Sequence, residues 1–273
     1  MANSSDNVSV GEVESGTPLL SVVIISLNEA HNIRRCLESV SFADEIVLLD
    51  SGSTDETVAI ARELGAHVQV NPDWAGFGIQ KNRALALARG QWILSLDCDE
   101  WVDQDLRGEI LKVLAACTQA GQPDVWRMPR RSRFCGRVIR HSGWSPDYVV
   151  RLWKSGSARF SDHRVHEHIV TAEGSRISRA GVGTLRHPLD HDTVVTFEQV
   201  IEKMNRYSSD SARMMVECGR QGSLSAAILH GLWAFFRTYV LRLGFLDGSH
   251  GFMLAVSNAE GSYYRYIKSM RRG

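Results

Sequence analysis

The chain has 273 residues, of which 44% are hydrophobic, and its 31 Lys and Arg residues balance 31 Asp and Glu residues. This is ordinary globular usage, and it excludes a disordered or collagen-like polymer. The five cysteines are widely spaced and form no CxxC pair. That pattern argues against a disulfide framework or a zinc knuckle and favours a reducing compartment.

The balanced charge hides an uneven distribution along the chain. Residues 1–125 carry 19 acidic and 8 basic residues, a balance of −11, whereas residues 126–164 carry ten basic and two acidic residues, a balance of +8. We call 126–164 the basic segment. It predicts contact with phosphates or with an anionic surface, and a solvated arginine-rich face is the alternative interpretation.

The first elements follow a polar start. Residues 1–18 are rich in Ser, Glu and Gly and predict a loose tail, without the basic start and apolar stretch of a signal peptide. The continuous apolar run 19–25 is typical of a strand buried on both faces of a parallel sheet. A helical pattern then begins at Asn28 and Glu29 and continues to Val40.

Strands and helices alternate in the next eighty residues. Strands are predicted at 45–50, 67–70 and 92–97, and the helices after them at about 54–64, 79–88 and 103–114, the first of these capped by Ser53 or Thr54. This alternation predicts an α/β fold with right-handed crossovers and a parallel sheet. Ligands of such sheets gather at the carboxyl ends of the strands.

Two carboxylates, Asp97 and Asp99, follow the fourth predicted strand. Their mutual repulsion requires a counter-charge, and a divalent cation that bridges phosphate oxygens supplies one. The alternative is a helix N-terminus, at which Asp99, Glu100 and Asp103 favour the macrodipole. Both interpretations are compatible, because a helix is predicted from Asp103.

Two further segments lie near the same predicted edge. The turn 50–55 contains Asp50, Ser51 and Gly52 but lacks the lysine of a Walker loop, so its carboxylate is a candidate acceptor for a base N–H, with a plain strand-to-helix turn as the alternative. Lys81, with Asn82 beside it, is a candidate diphosphate contact or, alternatively, a surface residue.

The segment 162–168 contains three histidines and Glu167 but no zinc-site spacing. In an extended conformation His166 and His168 share one face and Glu167 points to the other. A lone carboxylate in a cleft is a candidate general base, and a polar loop is the alternative. His191 follows later and is a candidate metal ligand or a structural histidine.

The most apolar stretch is 224–245, and it is interrupted by His230, Arg237 and Arg242. These residues weaken it as a membrane-spanning candidate, and aromatics with spaced arginines are typical of a helix in a bilayer interface. A helix packed on its own domain is the alternative.

Four motifs, in this order, resemble those of family 2 glycosyltransferases: Ser26-Leu27-Asn28-Glu29, the segment 50–55, Gln80-Lys81-Asn82 and Leu96-Asp97-Cys98-Asp99-Glu100. The resemblance is narrower for the branch of lipopolysaccharide core β-glucosyltransferases, through Arg151-Leu152-Trp153, Val165-His166-Glu167, His191 sixteen residues before Tyr207, and the segment 244–248. It runs from about Leu19 to near Lys268. Cys98 departs from the alanine common in that branch, and its small side chain should leave a metal site intact.

The resemblance implies a GT-A fold, with one Rossmann-like, mostly parallel sheet flanked by helices, a nucleotide-sugar donor, and inversion by direct displacement. The implied organisation is a tail at 1–18, a GT-A domain at 19–200 and a C-terminal helical, membrane-associating region at 201–273. The implied acceptor is inner-core lipopolysaccharide or a similar lipid-linked glycan at the cytoplasmic face of the inner membrane. The donor is expected to be a UDP-sugar carrying a hexose such as glucose, and no nucleic acid is expected as a partner.

The resemblance also implies roles for individual residues. The nucleotide sugar would be bound by residues at the ends of the first, second and fourth strands and in the third helix: Asn28, Glu29, Asp50, Ser51, Gly52, Lys81, Asn82 and Asp97. Mg²⁺ or Mn²⁺ would be held by Asp97, Asp99 and His191. Glu167 would be the catalytic base, with Asp147 in reserve.

Two rival functions are compatible with parts of the sequence. A sugar nucleotidyltransferase would also use an acidic metal pair, but it would carry a glycine-rich first loop where this chain has Ser26 to Ala30. A non-catalytic membrane adaptor would use the aromatic C-terminal helices, and it predicts that Asp99→Ala leaves function unchanged.

Overall fold

The structure is a computed structural model. It describes residues 17–116, 121–161, 167–178 and 181–270. Most of the predicted tail, residues 1–16, and the segment 162–166 with two of its three histidines lie outside the described residues.

The first half of the chain alternates strands with helices. In chain order its elements are β1 (Leu20–Ser26), α1 (Ala30–Ser39), β2 (Glu45–Asp50), α2 (Thr57–Glu63), β3 (His67–Val70), α3 (Phe77–Leu85), β4 (Trp92–Asp97), β5 (Glu100–Trp101) and α4 (Gln104–Ala115). These bounds confirm the predicted strands to within one residue and the predicted helices to within about three. The predicted cap of α2 is wrong, because Glu56 precedes the helix and makes no side-chain capping bond.

The second half adds antiparallel strands and then helices. Its elements are β6 (Val125–Phe134), β7 (Arg137–Val138), β8 (Tyr148–Lys154), β9 (Ala158–Phe160), β10 (Ile169–Thr171), β11 (Val182–Thr184), β12 (Leu189–Val194), α5 (Phe197–Glu217), α6 (Leu224–Phe236) and α7 (Gly248–Lys268). Between α6 and α7 the chain forms a π-helix, Arg237–Leu241, and a 3₁₀ turn, Gly244–Asp247.

The main sheet is mixed, with strand order β3-β2-β1-β4-β8-β6-β12-β5. The first four strands are parallel, β8 is antiparallel to both β4 and β6, and β12 runs parallel to β6. The predicted α/β architecture with a helical extension is confirmed, while the antiparallel strands are added to the parallel sheet that the sequence predicted.

Both faces of β1, β2 and β4 are buried, as their continuous apolar runs require, whereas the edge strand β3 is mostly exposed. On β1, Val22 and Ile24 pack in one core cluster with α1 and α4, whereas Val23 packs in another with Ala84 of α3. Alternate residues of a strand point to opposite faces, so an apolar run without polar alternation supplies two core layers. This packing fixes where β1 and β4 end, and therefore positions the residues that follow them.

The C-terminal helices are tied to the sheet region by Asp247. This buried carboxylate accepts hydrogen bonds from the backbone N–H groups of Arg140 and His141, at 3.0 Å each, and from the Ser142 hydroxyl at 3.0 Å. It belongs to the segment 244–248, which therefore has a structural role. The predicted boundary at residue 200 falls within α5, and the division into domains stays a prediction.

One face of α6 is exposed and apolar. The segment Leu224–Leu241 has a mean hydropathy of 1.3 and is 22% buried, which makes it long and apolar enough to cross a membrane by length and composition alone. Its other face packs on α7, where His230 stacks on Tyr266 and Phe235 contacts Phe252. We call the exposed side the α6 face; its side chains, each more than 40% exposed, are Leu224, Ile228, Leu229, Leu232, Trp233, Phe236, Val240 and Leu241.

Candidate active site

Asp97, at the carboxyl end of β4, lies between two cationic side chains. Its Oδ1 is 2.8 Å from Lys81 Nζ, and its Oδ2 is 2.5 Å from Arg151 Nη2. Burial by itself would raise the pKa of Asp97, but Arg151 and Lys81 outweigh it and hold the pKa well below its usual range. Asp97 is therefore a fixed negative charge whose two oxygens are already neutralised.

Lys81 and Arg151 are held in their charged forms at this site. Burial disfavours each cation, but the Asp97 carboxylate, helped by Glu167 for Lys81 and by Glu100 for Arg151, raises the pKa of both. Glu100 is fully buried; its Oε1 lies 2.6 Å from Arg151 Nη2, and its Oε2 accepts the Asp97 backbone N–H at 3.1 Å. Glu100, which the alternative interpretation assigned to a helix N-terminus, thus serves to orient Asp97. The side chain that caps α4 is Asp103.

Glu167 joins this cluster through Lys81. Its Oε1 is 3.0 Å from Lys81 Nζ, and its side chain is 18% exposed. Lys81, Asp97, Arg151 and Glu167 line one cavity of about 840 Å³, which we call the sheet cavity. Further basic side chains in its lining come from β6 and from the segment after β10, namely Arg127, Arg130 and Arg176.

Asp147, the reserve base, lies outside the lining of the sheet cavity. Its Oδ2 accepts from Arg130 Nε at 2.9 Å and contacts Arg130 Nη2 at 2.7 Å. Both contacts are to the same oxygen, so the Arg130 guanidinium engages Oδ2 of this carboxylate. The geometry favours Glu167 over Asp147 as the carboxylate that is available to a substrate.

Asp99 lies beside His191 and does not belong to the lining of the sheet cavity. Its Oδ2 lies 3.4 Å from His191 Nε2, while His191 Nδ1 is 3.1 Å from the hydroxyls of both Ser132 and Thr193. Asp99 lines a separate cavity of about 280 Å³ together with Glu29. Burial and then the Asp99 charge raise the pKa of Glu29, against a hydrogen bond from Asn32. We call this the Asp99 cavity.

A divalent cation fits the Asp99 cavity better than it fits the Asp97 carboxylate. Glu29 and Asp99 in its lining supply two carboxylates, which are donors that Mn²⁺ or Mg²⁺ accepts, and the repulsion between them is the kind that a cation relieves. His191 does not line this cavity, but its Nε2 lies 3.4 Å from Asp99 Oδ2. Asp97, by contrast, already has two cationic partners. Within the described residues there is no ready-made group of three metal-binding side chains. The ligand set Asp97, Asp99 and His191 therefore stays a prediction.

The fully buried Asp50 fixes the conformation of the loop 50–55, which was predicted to bind the nucleotide. Asp50 Oδ1 accepts the backbone N–H groups of Gly52 and Ser53, at 2.9 and 2.7 Å, and Oδ2 accepts the hydroxyls of Ser26 and Ser53, at 2.8 and 2.5 Å. Gly52 has a φ of +98°, a conformation that glycine adopts without strain. Asp50 thus shapes the loop, and its contact with a base stays a prediction.

Asn28 joins the first strand end to this loop. Its backbone N–H donates to Ser53 Oγ at 2.8 Å, and its side-chain oxygen accepts the Thr54 N–H at 2.8 Å. Ser51 Oγ accepts from the Gln80 side chain at 3.1 Å, which brings α3 to the same edge. Asn82 is turned instead toward β9, where it exchanges two hydrogen bonds of 2.9 Å with the Phe160 backbone.

The ion pairs of Arg151 with Asp97 and Glu100 are the part of the site that the sequence motifs do not predict. A signal for Arg151 exists in the sequence, since a charged residue in the apolar strand Tyr148–Lys154 requires a buried counter-charge. Nothing in the sequence says that the counter-charge is Asp97. Part of the basic segment is structural, because Arg131 and Arg133 pair with the buried Asp190.

The comparisons with known proteins agree with this geometry. Residues 21–160 match the family described as glycosyl transferase family 2. An uncharacterized glycosyltransferase of Rickettsia bellii is 31% identical over 92% of this chain and 86% of its own length. The lipopolysaccharide core biosynthesis glycosyltransferase LpsC of Rhizobium meliloti is 32% identical over 92% of this chain and 94% of its own length.

Solved structures with similar folds are more distant. S. aureus TarS 1-349 in complex with UDP-GlcNAc has a TM-score of 0.49 and 14% identity, covering 92% of this chain and 90% of that chain. Glucosyl-3-phosphoglycerate synthase from Mycobacterium tuberculosis, in complex with Mn²⁺ and UDP-glucose, has a TM-score of 0.45 and 20% identity, covering 76% and 81%.

The chain belongs to glycosyl transferase family 2. It is a glycosyltransferase with a GT-A fold, and it transfers a sugar from a nucleotide-sugar donor. This assignment favours glycosyl transfer over the nucleotidyl transfer and the adaptor role that parts of the sequence also allow.

Proposed function

We propose that this enzyme inverts the transferred sugar in one displacement, with Glu167 as the base that takes the proton of the acceptor hydroxyl. The observation that carries the proposal is the convergence of Glu167, Lys81, Asp97 and Arg151 on one cavity. A base must lie within hydrogen-bond reach of the proton that it removes, and Glu167 faces a cavity large enough for substrates. Its one charged partner among the described residues is Lys81.

Charge neutralisation is the second requirement of the proposed reaction. The nucleoside diphosphate leaves with additional negative charge, and Lys81, Arg151 and Arg130 supply positive charge beside it in the sheet cavity. Asp97 holds two of these cations in fixed positions, so little reorganisation is needed when charge develops.

Asp99 and His191, with Glu29 beside them, are the residues that we propose for Mg²⁺ or Mn²⁺. A bound divalent cation supplies Lewis-acid stabilisation of the departing diphosphate. In the same proposal Asn28 and the loop shaped by Asp50 border the nucleotide.

The proposed donor is a UDP-sugar carrying a hexose such as glucose. The proposed acceptor is an inner-core lipopolysaccharide or another anionic, lipid-linked glycan, bound at the cytoplasmic face of the inner membrane. Similarity to LpsC and the basic lining of the sheet cavity support an anionic acceptor. The exposed α6 face supports attachment to a membrane surface, because apolar side chains of this kind lie in the interface of a bilayer.

The role of Glu167 is tested by Glu167→Gln, which keeps a hydrogen-bond acceptor for Lys81 but cannot take a proton. We expect transfer from UDP-glucose to fall by about 100-fold or more, while donor binding measured by calorimetry stays within about twofold. The matched control is Glu173→Gln, which changes an exposed glutamate that follows β10. Near-normal transfer by Glu167→Gln would move the base to Asp147 or elsewhere.

The metal assignment is tested by Asp99→Asn. We expect Mn²⁺-dependent UDP-glucose binding to weaken at least about tenfold, with metal-free binding unchanged. The control is Asp105→Asn, in the exposed first turn of α4. Equal Mn²⁺ dependence in Asp99→Asn and the wild type would contradict the assignment.

A further inference from the structure

A second large cavity lies among the C-terminal helices. It has a volume of about 670 Å³ and is lined by side chains of α5, α6 and α7, together with Phe134 and the segment 142–144 that follows β7. We call it the helical cavity. Its lining within the described residues includes no Asp and no Glu, but it does include Lys203, Arg237, Arg242 and Arg265.

The three arginines of the helical cavity differ from those near the sheet. In the described parts of the chain, Arg237, Arg242 and Arg265 form no ion pair, whereas Arg130 and Arg151 each face two carboxylates. Arg265 is half-buried, and its Nε is buried without a hydrogen-bond partner. A buried donor without an acceptor is costly, and an anionic ligand would remove that cost. Arg237 and Arg242 are exposed, and they place two more positive charges around the same space.

The position of the helical cavity beside the α6 face indicates what kind of anion would bind there. Trp233 belongs to both the helical cavity and the α6 face, and Arg237 immediately follows Phe236 of that face. A site with cationic groups beside an exposed apolar surface suits an amphiphile with an anionic head and an apolar tail. A guanidinium also pairs well with phosphate oxygens, through two parallel hydrogen bonds.

The helical cavity is next to the candidate active site. Thr193 and Lys203 line both the helical cavity and the Asp99 cavity, so a molecule in the first reaches the edge of the second. A glycan attached to a lipid held among the helices would therefore extend toward the proposed metal site.

We propose that the helical cavity binds the phosphate of an anionic membrane lipid, whose apolar part lies against the α6 face. The inference deepens the proposed function and rests on it to the extent that such a lipid carries the acceptor glycan. Arg237 and Arg265 pair with the phosphate, and Arg242 adds charge from the side of Gly143.

The test measures binding of the full-length protein to vesicles of phosphatidylcholine with and without phosphatidic acid, by co-sedimentation. We expect phosphatidic acid to strengthen binding in the wild type, and the double variant Arg237→Gln/Arg265→Gln to weaken that binding by about 10- to 30-fold. The matched control Arg62→Gln/Arg186→Gln removes the same charge from exposed arginines of the sheet region and should bind normally. Arg237→Lys/Arg265→Lys keeps the charge but should bind more weakly than the wild type, because an ammonium group cannot make the two parallel hydrogen bonds of a guanidinium.

The outcomes separate this inference from simple charge attraction and from the catalytic proposal. Equal losses in the cavity variant and the surface control would overturn the inference. The inference would also be overturned if glycerol 3-phosphate, at the same concentration of phosphate groups, displaced the protein from phosphatidic acid vesicles. That result would show that the site binds a free phosphate rather than a lipid. Hydrolysis of UDP-glucose should be unchanged in the cavity variant. If Glu167→Gln transfers normally while vesicle binding behaves as expected, the catalytic proposal fails and the lipid site stands.

Discussion

The sheet cavity and the helical cavity are both rich in arginine, but they differ in whether carboxylates pair with the arginine charge. In the sheet cavity, Arg151 and Lys81 are locked against Asp97, Glu100 and Glu167 at 2.5 to 3.0 Å. In the helical cavity, no carboxylate of the described residues lines the space.

This difference in charge pairing indicates two different functions for the two cavities. A network of opposed charges holds its members in place and is preorganised for chemistry. Cations without partners are poorly suited to hold a fold together, and they suit an anion that arrives from outside. Arginine thus stabilises a fixed arrangement in the sheet cavity and is available for binding in the helical cavity. The presence or absence of neighbouring carboxylates determines which of the two it does.

The largest expected effect comes from breaking the sheet network with Arg151→Met. The change leaves Asp97 and Glu100 without their shared cation, so we expect the free energy of unfolding to fall by about 3–5 kcal/mol. Urea denaturation measures it. Adding Glu100→Gln to Arg151→Met should recover part of the loss, because one uncompensated charge is removed. A single variant as stable as the wild type would contradict the network.

Asp247→Ala tests the connection between the two regions. The variant loses a buried acceptor that contacts the backbone N–H groups of Arg140 and His141, the His141 ring and the Ser142 hydroxyl, and we expect a loss of about 2–4 kcal/mol. Limited proteolysis should cut first between the sheet region and α7. Cleavage spread evenly over the chain would show that Asp247 is not the link.

Gly143→Ala is a milder test of the helical cavity. Gly143 has a φ of +81°, and an added Cβ would collide with the Arg242 guanidinium. We expect a loss of about 1 kcal/mol from backbone strain, with weaker binding to phosphatidic acid vesicles because Arg242 is displaced. Gly121→Ala has a similar φ of +88° and open space around it, so it should cost stability without changing vesicle binding.

The smallest expected effect is a change in acid sensitivity at Glu45. Burial by itself would raise the pKa of Glu45, but hydrogen bonds from Ser21 and Arg89 outweigh it and lower the pKa. A lowered pKa means that this stabilisation is present above the unfolded pKa and is lost as the pH falls through the folded value. Glu45→Gln should therefore lose less stability than the wild type between neutral pH and about pH 3, as measured by urea denaturation. An identical loss would contradict the assignment.

The local elements were predictable, because each depends on a short stretch of sequence. The strand at 45–50 was predicted to the residue, since an apolar run bounded by polar turns is typical of a buried parallel strand. The short strand at 67–70, His-Val-Gln-Val, was also predicted to the residue, although it is mostly exposed. The ten-residue β6 was not predicted, because its five arginine and proline positions obscure the alternation of a strand. The apolar α6 was predicted, and its division into one packed and one exposed face required the position of α7.

The sequence by itself determined the family and the positions of its acidic motifs, because those motifs lie in short, contiguous segments. Only the tertiary structure decided which charges meet. Lys81 and Glu167 are 86 residues apart in the chain, and Arg151 reaches Asp97 across 54 residues. The Arg151–Asp97 pair forms where β8 packs beside β4, and the Lys81–Glu167 pair joins α3 to the segment before β10. Both arrangements are set by the tertiary fold rather than by spacing along the chain. Sequence patterns report local periodicity, whereas electrostatic pairing depends on distance in space.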